Sequence, residues 1–177
     1  MLVLTLLSIA CCCGCPAWFG KPMWEQYPAN ASLPSQVSDL RLQSDVRSER
    51  TANELRTELE AQHVLADEVF AGVYSSSQGK TVTVFGSTGF RFTPESDAEE
   101  ELTRLTPKYK LGTQQVVETD VRGEHQRCAV GRADTTDVVV CTWADHGSIA
   151  SGVFTRLSLT DSAALLDSFR ERIVARG

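Results

Sequence analysis

Asp145, His146, Ser148 and Ser151 stand within one short segment and are the residue types of an acyl-transfer triad. A serine hydroxyl could attack, an imidazole take its proton, and a carboxylate orient the imidazole. Triads are assembled in space rather than in sequence, however, and the chain has no Gly-x-Ser-x-Gly elbow to raise a serine above a sheet. The segment therefore reads first as a polar turn between two strands, with Asp145 and His146 capping backbone amides. No residue is assigned a catalytic role. A small secreted hydrolase using Asp145 and His146 with a nearby serine is the alternative.

Other constellations carry less chemistry. Cys11, Cys12, Cys13 and Cys15 are thiols of the kind that bind zinc or iron–sulfur clusters, but three adjacent cysteines cannot all face one ion and no second Cys-x-x-Cys half follows. They read as small apolar residues, with Cys11 a possible site of lipidation if the chain were cleaved after Ala10. The histidines His63, His125 and His146 are dispersed and lack the HExxH spacing of a metal site. Glu95, Asp97, Glu99, Glu100 and Glu101 suit the positive end of a helix dipole better than a calcium loop. Gly86-Ser87-Thr88-Gly89 has no lysine after it and reads as a turn, not a phosphate cradle. The expectation is therefore no cofactor and no metal.

One spacing is informative. Cys128 and Cys141 are the only cysteines beyond Cys15, and the midpoint between them falls in Ala133-Asp134-Thr135-Thr136. If HQRCAVGR and TDVVVCTW pair about that turn, Val130 faces Val139, Arg132 faces Asp137 and Cys128 faces Cys141. Apolar meets apolar and plus meets minus, which supports the register. Opposed cysteines in a non-hydrogen-bonded pair can bridge, and a disulfide there implies an oxidising compartment. The following residues, Val140 to Phe154 (VCTWADHGSIASGVF), resemble a Cys-x-Trp-Ala-Asp motif of uncharacterised actinobacterial membrane-anchored or secreted proteins, in which a preceding cysteine and a C-terminal helix recur. The resemblance spans Phe70 to Val174 and implies location and an α+β fold. It lends no catalytic residue.

The elements that must position these residues are legible in the periodicity. Residues 44–66 carry an apolar stripe of Ala52, Leu55, Leu59 and Ala66, with His63 on its edge, and predict an amphipathic helix capped at Ser44 or Thr51. FAGVY and TVTVF predict a hairpin, GFRF (89–92) a third short strand, and Thr93-Pro94 the start of a helix through Leu105. QQVVETDV, HQRCAVGR, TDVVVCTW and IASGVFTRL predict four strands, and Thr160 caps a last helix with Leu165, Phe169 and Ile173 in its core face. Connections this short predict a mainly antiparallel sheet packed by about three helices.

The N-terminal side is different. Residues 1–19 hold no charged side chain, enough for a helix across the ~30 Å hydrocarbon core of a bilayer. Trp18, Phe19, Trp24 and Tyr27 then gather where ring-bearing residues favour the headgroup layer. Residues 20–43, with three prolines and no sustained period, read as a flexible linker. Lys21 on the far side of the apolar segment favours the opposite topology, but the predicted disulfide outweighs it.

The formal charge of −6, with arginines scattered among more numerous carboxylates, excludes a nucleic-acid partner. The sequence thus predicts a transmembrane or signal-anchor segment (1–19), a linker (20–43) and an extracytoplasmic α+β domain (44–177). Its partners would be the lipid bilayer through residues 1–19 and an envelope protein. The reading is a non-catalytic binding, sensing or accessory module of the cell envelope, held at the cell membrane by a single pass; a structural envelope protein is the further alternative.

Overall fold

The protein is described by a computed structural model covering residues 15–62 and 66–177. Helix α1 (Cys15–Gln26) leads into three short strands, β1 (Ala29–Ala31), β2 (Gln36–Val37) and β3 (Leu40–Leu42). Helix α2 (Val46–Gln62) is followed by β4 (Glu68–Ser75), β5 (Thr81–Thr88) and helix α3 (Pro94–Tyr109). Then come β6 (Gln115–Val117), β7 (His125–Ala133), β8 (Thr136–Ala144), β9 (Ser148–Thr155), helix α4 (Leu159–Ile173) and β10 (Val174–Arg176).

Eight strands form one antiparallel sheet in the order β2-β3-β4-β5-β9-β8-β7-β6, and β1 pairs separately with β10. The β7–β8 hairpin has the predicted register: Cys128 faces Cys141, Val130 faces Val139 and Arg132 faces Asp137. Asp134 makes the turn possible by adopting a left-handed φ of 50°, a conformation that Asp tolerates better than most residues. Cys128 and Cys141 form a disulfide across a Cα separation of 4.0 Å.

Both faces of the sheet are covered, which explains why TDVVVC reads as a continuous apolar run and not an alternating one. On one face Tyr74, Val82, Val84, Trp143, Phe154 and the disulfide pack with Leu166, Phe169 and Ile173 of α4. On the other, Ala71, Phe85, Val138, Val140 and Val153 pack with Leu55 and Leu59 of α2 and Leu102 and Leu105 of α3. The fold is α+β with a large antiparallel sheet, as its periodicity and short connections require.

Several expectations are corrected. Residues 20–43 do not run as a free linker. Val37 and Leu40 are fully buried, and the Tyr74 hydroxyl donates to the Pro34 carbonyl at 2.8 Å. Scattered apolar residues without a period are enough here, because each fills its own place at the sheet edge. Residues 89–92 are not a strand but a loop held to the turn after β8, with the Arg91 amide donating to the His146 carbonyl at 2.9 Å. Asp45, not Ser44 or Thr51, caps α2 by accepting from the Arg47 and Ser48 amides. Helix α3 continues past Leu105 to Tyr109. Ser158, not Thr160, caps α4: its hydroxyl accepts from the Asp161 amide and donates to the Asp161 carboxylate, the reciprocal pairing of a capping box.

Among the described residues no helix is long and apolar enough to cross a membrane. The span expected over 1–19 lies outside the described residues as far as residue 14, as do Cys11 and His63, and residues 15–19 begin α1.

Candidate functional site

The turn joining β8 to β9 is built around one carboxylate. Asp145 is 0% exposed. Its Oδ1 accepts from the Gly147 amide (2.8 Å), the Ser148 amide (2.7 Å) and the Ser148 hydroxyl (3.0 Å). Its own amide donates to the Ser148 carbonyl at 2.9 Å, so the side chain and backbone of one residue close the turn together.

The other oxygen faces charge. Arg176 donates from Nη2 to Asp145 Oδ2 at 2.8 Å and to Glu124 Oε1 at 2.6 Å, and Arg170 reaches the same Glu124 oxygen from Nη1 at 2.6 Å. Arg170 also lies over the Trp143 ring, 5.7 Å from its centroid. Burial pushes the Glu124 carboxyl above its ordinary value, against the pull of Arg176 and Arg170 and reinforced by the negative charge of Asp145. Buried carboxylates of this kind are tolerated only when paired. Two acids and two guanidiniums thus tie the start of β7, α4, β10 and the β8–β9 turn into one clasp.

His146 is drawn elsewhere. Its Nδ1 meets the Arg91 carbonyl at 2.8 Å. Because a carbonyl only accepts, Nδ1 carries the proton. The hydroxyl of Ser148 donates to Asp145, and that of Ser151 pairs with Thr142 at 2.8 Å. Asp145 and Ser148 are therefore in contact, while the imidazole is oriented toward the 89–92 loop. The chemistry this favours is fixation of backbone, with the carboxylate as acceptor, over proton transfer between imidazole and serine.

Helix α1 docks on this turn. Gln26 Oε1 accepts from the His146 amide (3.1 Å) and its Nε2 donates to the Arg122 carbonyl (2.9 Å). Two glycines permit the approach: a Cβ on Gly147 would collide with the Gln26 carbonyl, and Gly123, at φ 84°, lies under Pro22. Gln26, Glu124, Arg170 and Arg176 were invisible to sequence reasoning, since a lone polar residue beside a strand or at a chain end carries no sign of burial. The predicted acidic cluster is dispersed onto arginines: Asp97 to Arg91, Glu99 to Arg127 and Glu101 to Arg104. His125 opens β7 opposite Ala144.

Beside the clasp, β6 forms an edge of the sheet with Val116 largely exposed. A groove of about 550 Å³ runs between β6 with its following loop and α4, lined by Val117, Thr119, Leu159, Ala163 and Asp167 among others. No protein-family model, curated protein or solved structure matches the chain.

Proposed function

We propose that the chain is a membrane-tethered domain on the extracytoplasmic side of a cell envelope, where it binds a partner as a sensing or accessory module and catalyses no reaction. The observation that carries this reading is the buried Cys128–Cys141 bridge, a feature of oxidising compartments. The uncharged residues 1–19 have the composition of a membrane anchor. The resemblance to membrane-anchored and secreted actinobacterial proteins points the same way.

Binding is favoured over a purely structural role by the open edge of β6 and its groove, a geometry suited to an added strand or an extended segment. A photo-reactive amino acid at Val116 in cells expressing the full chain tests it. A discrete envelope adduct at 116, absent from the same probe at the exposed Thr57 of α2, is expected. Equal labelling at both positions, or a hydrolytic activity abolished by His146→Ala, would contradict the reading.

A further inference from the structure

We propose that the end of the sheet carrying the 89–92 loop lies directly on a lipid bilayer, with Phe92, Phe90 and Trp24 at headgroup depth, so that the domain rests on the membrane instead of standing off it. This rests on the membrane-tethered reading above and adds an orientation to it.

Three observations converge on that end. Phe92 is 76% exposed, Phe90 40% and Trp24 85%, large apolar groups that a folded surface seldom presents together without a partner. The loop that carries the two phenylalanines is held firmly. Arg91 between them is fixed through its amide and carbonyl to His146, and its guanidinium binds Ser87 (3.0 Å) and Asp97 (3.3 Å). Phe90 and Phe92 contact each other edge to face at 4.7 Å, and Phe90 contacts Tyr27, the residue after α1, at 5.4 Å. The aromatic tip and the end of α1 are therefore one continuous surface.

The occupant follows from the chemistry of α1 and of the chain before it. The fourteen residues before α1 have no charged side chain, and α1, the helix that follows them, packs at this end of the sheet through Gln26, which is fixed to the β8–β9 turn. Lys21 and Glu25, the only charges on α1, pair with each other at 3.4 Å and leave the helix neutral. Val121, on the loop under α1, adds a further exposed apolar side chain. Exposed aromatic rings beside a neutral helix that follows an uncharged segment match the headgroup layer of a bilayer. The opposite end of the sheet, with the 134–135 turn, is roughly 25 Å away along β8.

The test uses the full chain with Trp18→Phe and Trp24→Phe, so that buried Trp143 is a constant background, and Phe92→Trp or Thr135→Trp as reporter. Each variant is checked for an intact disulfide by mass and incorporated into vesicles of phosphatidylcholine and phosphatidylglycerol, with or without brominated acyl chains. Flotation reads the tether; quenching reads contact with lipid. The expected result is flotation of both variants, with emission quenched by brominated lipid for Trp at 92 and unchanged for Trp at 135. Flotation with no quenching at 92, or a blue shift there that brominated lipid does not quench, would overturn the docking and leave the tether standing. Failure to float would overturn the tether itself, and the docking with it.

Discussion

At the scale of single residues the molecule uses its most reactive-looking groups to hold its own backbone. Asp145 accepts from two amides, a hydroxyl and a guanidinium. Asp145→Asn removes the charge that Arg176 faces and should cost about 3 kcal/mol, read as a lowered denaturation midpoint. A variant as stable as the parent would show that the clasp is not needed. Gln26→Ala removes the side chain that accepts from the His146 amide and should cost about 1–3 kcal/mol, with faster hydrogen exchange at residues 146–147. Removing the bridge by Cys128→Ala with Cys141→Ala should cost about 3 kcal/mol in the chain-entropy account, given its short loop. The bridge was legible in the sequence because a turn lay at the midpoint of the two cysteines. The Asp145 turn was legible as a cap, but its partners were not: Arg176 lies 31 residues on and Gln26 binds across 120, distances over which sequence has no period to report.

At the scale of elements, the strands with strong alternation or long apolar runs were predicted to within a few residues, and the register of β7 with β8 was predicted pair by pair. Failure was confined to segments whose identity is set by their neighbours. Residues 29–42 look like a spacer because three short strands have no room to show a period, and only the Tyr74 hydroxyl on Pro34 and the fully buried Val37 and Leu40 reveal their place. The GFRF segment has strand propensity, yet the pull of His146 on Arg91 bends it into a loop. Docking of α1 has its own test. Gly147→Ala places a methyl group against the Gln26 carbonyl, and should release α1 and raise proteolysis around Tyr27 while the β7–β8 disulfide stays intact. Unchanged protection of that segment would contradict the docking described above.

At the scale of the whole molecule, α2 and α3 are joined across the sheet face by Glu58, which receives Arg104 at 2.8 Å and Lys108 at 3.3 Å. Burial alone would push Glu58 up, but the charge of Lys108 and the hydrogen bonds from Arg104 and Lys108 hold it below its ordinary 4.5. A carboxylate depressed in the fold contributes stability that is present above pH 4.5 and is lost as pH falls through the lower folded value. Glu58→Gln should therefore flatten the acid end of the stability profile, with an effect below about 1 kcal/mol at neutral pH because the site is partly exposed. An unaltered acid limb would contradict it. The central claim, an extracytoplasmic domain held at a membrane, meets its most direct test in differential thiol alkylation of native membranes followed by mass spectrometry. The account predicts that the chain sediments with membranes and that Cys128 and Cys141 take label only after reduction. Two thiols that alkylate without reductant would place the domain in a reducing compartment and contradict it.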